Sequence, residues 1–442
     1  MESRRCSRRN GQALLMVTLA LLPMFGILGL VTDVGYMHFI KMSAQTAAEA
    51  AAQAAIIDYR ATVGGGSPTC GLNNVVCSAT PSNCPSNITT PANSIEHGCM
   101  YAQLHGFNST NHWVTYEAGA ASTPPTAPGM GTASYWVTFR AVQKVPMMFS
   151  AVLGNTSGMV AARSTTALIG ASDCIYALNP HAYGALSLGG TPSLISSCGI
   201  YVNSDNACAI STNGTATLQA PEYDTVGNVC THNPLTPPAN TGVSPIDDPL
   251  AALPAPASAP YKCDHIGSYN TGTDVYPGVY CGGIKVKNST STFHAGMYIL
   301  VGGGLSASAN ATITSTGGVT FYNTFGATTN SSTYGYQGIN ITANSTVNLV
   351  APTSGTYAGI LFFEDRASPP QSDTYGGNAS SGYQGTIYAK NAAITMYGNS
   401  SMNTAYTMIV ADTISIQGTA GINNDYSSLL TGSPIQQSMM VE

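Results

Sequence analysis

The strongest constraint on this chain is an uncharged, mostly apolar run of 23 residues near its start, Asn10–Thr32. As an α-helix this run would be about 34 Å long, enough to cross a hydrocarbon core of roughly 30 Å. Four arginines precede it: Arg4, Arg5, Arg8 and Arg9. Because basic residues resist translocation, the arginine-rich end is expected in the cytoplasm and everything after Thr32 outside it. The pattern therefore predicts a transmembrane helix over residues 11–32, preceded by a basic cytoplasmic segment over residues 1–10.

A cleaved secretory signal is the alternative interpretation of the same run. The apolar core of such a signal is usually about 7–15 residues long and ends near a small-x-small cleavage site. Here the apolar run is longer, no such site follows directly, and helical character continues past Thr32. A retained single-pass anchor in the inner membrane is therefore the favoured prediction, with the exported part of the chain periplasmic or extracellular.

A second helical pattern follows over residues 33–58. Alanines recur there at spacings of three and four, which places them on one face of a helix: Ala44, Ala47, Ala48, Ala51, Ala52 and Ala55. Alanine favours the helix and permits close backbone approach. Two interpretations stay open: a solvated stalk, or a helix whose alanine face packs on identical or similar helices, as small residues do in tight packing near membranes.

Three features occur in a fixed order along this part of the chain. A basic-glycine junction, Arg8–Gly11, is followed by the apolar span, which ends in Asp33-Val34-Gly35, and then by the alanine-rich stretch Gln45–Ala55. Over residues 8–57 this order resembles the N-terminal segment of the TadE/TadG-like proteins, which are pilin-like components of the bacterial Flp/Tad pilus assembly system. The resemblance implies the cytoplasmic membrane, and pilus assembly components or homologous pilin-like subunits, as partners.

The resemblance also implies a candidate processing site at Gly11 and Gln12, because some family members are cut by a prepilin peptidase after the glycine. Pilin-type substrates usually carry glutamate five residues after the cut, where this chain has Met16. This departure from the pilin pattern favours a permanently anchored protein over a cleaved filament subunit.

Composition favours an ordered, β-rich exported region. Charged residues make up 8% of the chain, against about 25% in ordinary globular proteins. Tyrosine is abundant, with 24 residues, and short β-branched runs recur, which argues against disorder. After Arg60 there are 8 basic and 16 acidic residues, a net charge of −8, which argues against a nucleic-acid partner on electrostatic grounds.

Cysteine usage agrees with export. Ten of the 11 cysteines follow the apolar run, and an even number in an oxidising compartment predicts disulfides. Zinc is the alternative for Cys70, Cys77 and Cys84, but zinc ligands usually lie two to four residues apart. Cys263 and Cys281 are the favoured local pair, because their separation of 18 residues is close to a repeat described below.

Residues 59–170 are predicted to form a small α+β pilin-like region. Its expected elements are a helix over Ser94–Leu104, capped by Asn93 or Ser94, and three strands. The strands are His112–Glu117, Tyr135–Val142 and Met159–Leu168.

A different pattern occupies residues 173–426, in which a glycine followed by a short apolar strand recurs. Instances begin at Gly199, Gly278, Gly296, Gly318, Gly359 and Gly385. A period of about 20–25 residues with strand character predicts a stacked repeat. The fold class is therefore mainly β, a right-handed parallel β-helix after the N-terminal helix and the α+β region, with a β-sandwich or jelly roll as the alternative.

The repeat is predicted to fall into two blocks. A first block covers residues 173–230 and the main block residues 263–426. Between them, residues 231–262 are rich in proline, which cannot donate to a sheet ladder, and form a strap. Residues 427–442 are a C-terminal tail, and a polar cap over Thr419–Glu442 is expected to protect the last open edge.

An enzyme is the alternative function, because glycan-active enzymes on β-helices use paired carboxylates on the outer face. The candidate carboxylates are Asp247 with Asp248, Glu364 with Asp365, and Asp264 with Asp274. The first pair lies in the strap, and the second precedes Arg366, so a loop ion pair is the simpler interpretation. We predict no enzymatic activity and no cofactor or metal.

The sequence thus predicts a membrane-anchored, pilin-like surface protein associated with Flp/Tad pilus assembly. Its exported β-helix would serve adhesion or structural contact, with surface glycans as a further candidate partner. The alternative is a membrane-tethered polysaccharide lyase or hydrolase on the same scaffold.

Overall fold

The structure, a computed structural model, describes residues 10–63, 70–71, 75–126, 133–170, 172–329, 333–342, 344–378, 381–398, 407–422 and 433–441. Within these ranges, the side chains of residues 10–15, 22–23, 25–26, 28, 61–63, 152–153, 398, 418–422 and 437 also lie outside the description. The chain is mainly β and divides into two compact units. We call residues 1–62, 68–168 and 438–442 the head, and residues 63–67 and 169–437 the stacked-coil region.

The head contains two helices and five strands in its described part. Helix α1 spans Asn10–Val63 and helix α2 spans Ser94–Leu104. The strands are β1 Ser78–Asn83, β2 His112–Ser122, β3 Ala133–Pro146, β4 Ser157–Gly170 and β29 Gln436–Met440, and they form one sheet in the order β1-β2-β3-β4-β29.

Helix α1 carries both sequence patterns, the apolar run and the alanine face, in one uninterrupted element. Among the described residues, no helix combines the length and the apolar character that crossing a membrane requires. Several side chains of the predicted span, those of residues 11–15, 22–23, 25–26 and 28, are not among those described.

The predicted elements of the head are confirmed. Helix α2 has the predicted bounds, and Asn93 is its cap, since Asn93 Oδ1 accepts from the backbone N–H of Glu96 at 2.9 Å. Glu96 in turn accepts from the backbone N–H of Ala92 at 2.8 Å, which satisfies a second free donor. Strands β2, β3 and β4 contain the three predicted strands and pair antiparallel. Strand β29, in the predicted tail, was not foreseen.

The stacked-coil region is built from short strands that form one 24-stranded sheet system. Its strands before the strap are β5 Asp173–Ala177, β6 Leu186–Leu188, β7 Ser193–Ser196, β8 Gly199–Val202, β9 Ile210–Thr212, β10 Thr217–Gln219, β11 Tyr223–Thr225, β12 Val229–Cys230 and β13 Asn240–Thr241.

The strands after the strap are β14 His265–Ile266, β15 Tyr269–Thr271, β16 Asp274–Val275, β17 Gly278–Cys281, β18 Ile284–Lys287, β19 Thr290–Phe293, β20 Gly296–Val301, β21 Leu305–Ser308, β22 Thr312–Thr324, β23 Asn340–Ile341, β24 Thr346–Val350, β25 Ile360–Glu364, β26 Gln371–Tyr375, β27 Gly382–Gly398 and β28 Thr407–Ile422.

Parallel pairing between successive coils holds the region together. Strands β14, β15 and β16 pair with β17, β18 and β19, so the chain traverses three strands before it stacks on itself. One inward-facing position repeats from coil to coil and forms what we call the central column: Tyr298, Phe321, Phe362, Ile387, Ile409, Ile175, Ile200 and Tyr223. Every member is buried, and each contributes apolar area that no single coil could remove from water.

The order of coils along the stack differs from their order in the sequence. Strand β28, the last of the main block, pairs in parallel with β5, β6 and β7, the first strands of the early block. The expectation that Thr419–Glu442 caps an open edge is therefore wrong, because β28 is covered by the early block. The chain enters the middle of the stack at β5 and coils through the early block to one end at β13. It then returns to the other end and coils from β14 back to the middle at β28.

The strap is the return path between those two ends, and its contacts follow this route. Ser244 and Ile246 accept from Tyr201 and Asn203 in the early block. Farther along the strap, the carbonyl oxygen of Pro254 accepts from Tyr357 at 3.2 Å. Near the end of the strap, Tyr261 forms a parallel bridge with Thr328. The strap is thus bound to coils of both blocks.

A charged cluster fixes the middle of the strap. The carboxylate of Asp248 accepts from the Tyr388 hydroxyl at 2.5 Å and lies 3.5 Å from Arg366 Nε and 3.8 Å from Lys390 Nζ. The Arg366 guanidinium also lies over the rings of Phe363 and Tyr388. Arg366 therefore pairs across 118 positions of sequence with the strap rather than within its own loop, which corrects the predicted loop ion pair.

Disulfides secure the coils that have a neighbour on one side only. Cys263 is bonded to Cys281 at the first coil, and Cys208 to Cys230 at the last. Cys174–Cys198 joins two coils of the early block, and the head contains Cys70–Cys77 and Cys84–Cys99. The three evenly spaced cysteines considered for zinc are thus all disulfide-bonded.

We predict that the double substitution Cys263→Ser with Cys281→Ser loosens the first coil. A disulfide that closes a loop of about 18 residues lowers the conformational entropy of the unfolded chain, which stabilises the folded state by about 3 kcal/mol. Amide exchange over His265–Val275, measured by mass spectrometry, should accelerate, while β27 and β28 keep their protection. The matched control, Cys84→Ser with Cys99→Ser in the head, should leave His265–Val275 unchanged. Equal exchange in the two variants would contradict the prediction.

Candidate functional site

The most constrained polar group of the head is the carboxylate of Asp33, which lies in α1 just after the apolar run and is buried. It accepts from the backbone N–H groups of Met148 at 3.0 Å, Phe149 at 3.1 Å and Ser150 at 2.8 Å. The Ser150 hydroxyl donates to it as well, at 2.9 Å. These donors come from the turn between β3 and β4, so Asp33 binds a segment that is 115 to 117 residues away in sequence.

These hydrogen bonds change the acidity of Asp33. Donors that favour the charged form lower the pKa of the Asp33 carboxyl, and the backbone N–H of Ser150 has the largest effect. The carboxylate thus stays ionised although it is covered. A charge placed at this level of the helix is tolerated because the turn supplies the hydrogen bonds that water would otherwise provide.

Apolar contacts extend the same junction along α1. Ile40 forms a small buried cluster with Val145 and Val160, with Met37 packed against it. Four residues before Asp33 on the same helix, Gly29 lies against the side chain of Phe149. A Cβ added to Gly29 would lie only 2.6 Å from that side chain. The β3–β4 hairpin therefore runs alongside α1 and reaches the last turn of the apolar run.

The alanine face of α1 is buried within the single chain. Ala44, Ala47, Ala48, Ala51, Ala52 and Ala55 are all fully covered. Gly98 of α2 approaches the carbonyl oxygen of Ala51 and the ring of Phe139, so closely that an added Cβ would lie 2.6 and 2.5 Å from them. The alanines thus allow α1 to pack against the head itself. The alanine face is therefore not a solvated stalk, and it is not available to a second copy of the chain, because the rest of the head covers it.

The predicted processing site lies in the first turn of α1, which begins at Asn10. The backbone of Gly11 and Gln12 is helical there, and their side chains lie outside the described residues. Met16, which replaces the glutamate of pilin-type substrates, is exposed.

The carboxylates considered for catalysis occupy different environments. Glu364 is buried in β25, and Asp365 accepts from Tyr322 at 3.0 Å and from Thr324 at 2.7 Å. They therefore do not form an outer-face pair. Asp248 is occupied by the strap cluster described above, whereas Asp247 is exposed.

The remaining pair, Asp264 and Asp274, lies near the first coil. Asp264 accepts from the backbone N–H of Val279 at 2.8 Å. Asp274 lies 3.2 Å from Nε2 of His294, which stacks on the exposed ring of Tyr276. Within the described residues, no group of three or more histidine, cysteine or acidic side chains is arranged to hold a metal ion.

Glu364 has a buried acidic neighbour that the sequence did not reveal, Asp373 in β26. Glu364 Oε1 accepts from Asn323 Nδ2 at 2.8 Å, while Oε2 has no hydrogen-bond partner among the described residues. Asp373 Oδ1 accepts from the backbone N–H of Ile339 at 3.1 Å. Burial raises the pKa of Glu364, and burial together with the nearby Glu364 raises that of Asp373 well above its usual range. Both carboxyl groups are buried, so this pair does not supply carboxylates on the outer face of the stack.

Sequence reasoning missed the environments of Asp33 and Asp373 for different reasons. Asp33 was visible as the first charge after the apolar run, but its donors lie on a distant turn. Asp373 stands in a polar stretch, Gln371–Tyr375, whose alternation places it inward, and this alternation was the available signal.

We expect the Asp33 carboxylate to hold the turn between β3 and β4 in place. Asp33→Ala removes the acceptor of several N–H groups, so the amides of Met148, Phe149 and Ser150 should exchange faster in the full chain held in detergent micelles. The matched control is Glu49→Ala, which removes another carboxylate of α1, one that accepts from Gln45 within the helix. Unchanged protection in the Asp33 variant would show that the turn is held without this carboxylate.

We expect the stability of the stacked-coil region to depend on pH through Glu364 and Asp373. Because the pKa values of Glu364 and Asp373 are raised by folding, the native chain holds protons that the unfolded chain releases near pH 4. The free energy of unfolding should therefore fall as pH rises from about 4 through the raised values. Asp373→Asn keeps the oxygen that Ile339 binds but cannot ionise, so the thermal midpoint of the stacked-coil region should depend less on pH. Exposed Asp274→Asn is the control, and equal slopes for both variants would refute this assignment.

Comparison with known proteins finds a similarity for helix α1 and none for the stacked-coil region. Residues 11–61 match the family model described as putative Flp pilus-assembly TadE/G-like. No curated protein and no solved structure matches the chain. The matched residues cover the apolar run, Asp33 and the alanine face, and so confirm the resemblance inferred from the sequence. Over residues 11–61, which form nearly all of α1, the chain is therefore similar to the TadE/G-like family.

Proposed function

We propose that this chain is a membrane-anchored, pilin-like surface protein of the Flp/Tad pilus assembly system. The observation that carries the proposal is the TadE/G-like match over residues 11–61, on a helix whose alanine face packs against the rest of the head. The 23-residue uncharged run and the four arginines before it support an anchor in the cytoplasmic membrane, with the rest of the head outside. Met16 supports retention of the segment rather than assembly into a filament.

The stacked-coil region would be the part that makes contact outside the membrane. We infer that its parallel coils form a right-handed parallel β-helix, since that hand is the rule where parallel strands are joined within one sheet system. Its exterior has few charges and many hydroxyl and amide groups, which suits adhesion, structural contact or surface glycans. Pilus assembly components or homologous pilin-like subunits would meet the exposed side of α1 and the head.

A polysaccharide lyase or hydrolase is supported less well by the site geometry. Glu364 is buried, and Asp248 is bound by Arg366, Lys390 and Tyr388. In two of the three candidate pairs, therefore, at least one carboxylate is not available to a substrate. We therefore propose that the region acts by binding.

The proposal can be tested by separating the two units in the cell. Gly170 and Ser433 are in contact, because a Cβ on Gly170 would lie 3.0 Å from Cβ of Ser433. A short Gly-Ser linker can therefore replace residues 171–432 without stretching the head. We expect this strain to form pili normally and to attach to surfaces as poorly as a strain that lacks the whole protein. Electron microscopy and counts of retained cells measure the two properties.

Control and contrary outcomes follow from the same strains. Immunoblotting of the membrane fraction must show equal amounts of the full and shortened chains. If deletion of the whole protein changes neither piliation nor attachment, the proposed function is wrong. If the shortened chain restores attachment, the stacked-coil region is not the adhesive part.

A further inference from the structure

The turn that binds Asp33 has an unusual surface. From Val145 to Ala162 the chain contains no charged residue, while Lys144 precedes this stretch and Arg163 follows it. Three of its apolar side chains are exposed on the single chain: Met148 (70%), Phe149 (45%) and Met159 (67%). Exposed apolar side chains that cluster at one place on a soluble surface usually mark an interaction site. We call Pro146–Ser150 the apolar turn.

The apolar turn lies beside the end of the uncharged run of α1. Phe149 packs against Gly29, which precedes Asp33 by four residues, or about 6 Å along a helix. The turn thus reaches below the level of Asp33, toward the amino terminus of α1. On α1 itself, apolar side chains of the same stretch are exposed as well, among them Ile27, Leu30 and Val31.

Hydrogen bonding makes this position compatible with a lipid environment. A carboxylate without hydrogen-bond donors would make it costly to bury this part of α1 beneath lipid headgroups. Four donors of the turn, three backbone N–H groups and the Ser150 hydroxyl, bind the carboxylate of Asp33. The same contacts use the backbone N–H groups of Met148, Phe149 and Ser150, which would otherwise have to stay in water. The Asp33 junction therefore lowers the polar cost of insertion for both partners.

We propose that the apolar turn inserts into the outer leaflet of the cytoplasmic membrane, beside α1, as a second contact with phospholipid. This inference rests on the proposed anchoring of α1. A bilayer is the occupant because Phe149 packs beside the end of the 23-residue uncharged run, and because Lys144, two residues before the end of β3, is exposed next to the turn, where a basic side chain suits the phosphate level of a membrane. The turn would hold the head at a fixed angle to the membrane instead of leaving it to swivel on one helix.

The test uses depth-dependent fluorescence quenching with the full chain. The protein carries Met148→Trp and is reconstituted in phosphatidylcholine–phosphatidylglycerol vesicles, with or without brominated acyl chains. The control carries Tyr183→Trp, at a position of the stacked-coil region with similar exposure (67%). The signal of the unsubstituted chain, which contains two tryptophans, is subtracted. We expect the new indole at position 148 to emit at shorter wavelength and to be quenched by bromolipid, and the control to show neither change.

Each other outcome overturns the inference in a distinguishable way. If the chain floats with the vesicles but the indole at position 148 is not quenched, anchoring stands and the inserted turn is wrong. If the chain does not float, anchoring fails and the inference fails with it. If the emission shifts without bromolipid quenching and depends on protein concentration, a second copy covers the turn. Near-ultraviolet circular dichroism that matches the unsubstituted chain shows that the variant is folded.

Discussion

The pairing of β28 with β5 is the interaction on which the rest of the stacked-coil region depends. A coil of parallel strands leaves two hydrogen-bonding edges and an apolar interior exposed at each end of a stack. Without this pairing, the early and main blocks would each expose such an end. Ile409 above Ile175 instead continues the central column across the point where the chain is interrupted. Two separate runs of sequence thereby become one stack with one core.

This arrangement explains why the chain needs its strap. Because the early block follows the main block in space but precedes it in sequence, the chain must travel from one end of the stack to the other. Proline-rich sequence suits that path, since it neither joins the sheet nor requires N–H partners. Asp248, Arg366 and Tyr388 then bind the strap at its middle, so that the return path is not a slack loop but part of the packed surface.

Sequence reasoning succeeded where local chemistry decides the structure and failed where distant contacts decide it. Helix α2 could be bounded because Asn93 and Glu96 cap it locally. Strands β8 and β17 could be placed because a glycine opens each short apolar run. The order of the coils could not be foreseen, since every coil presents the same kind of inward side chain and any of them could follow β28. Likewise, the alanine face of α1 showed that something packs closely there, but not that the head itself does.

The same order of coils determines how the region resists unravelling. In a stack whose chain starts and stops at its ends, a terminal coil can peel away from its free terminus. Here both connections to the head strands leave from the middle, through β5 and β28, where each coil has neighbours on two sides. The end coils carry no free terminus, because the strap continues from one and leads into the other, and Cys208–Cys230 and Cys263–Cys281 close them.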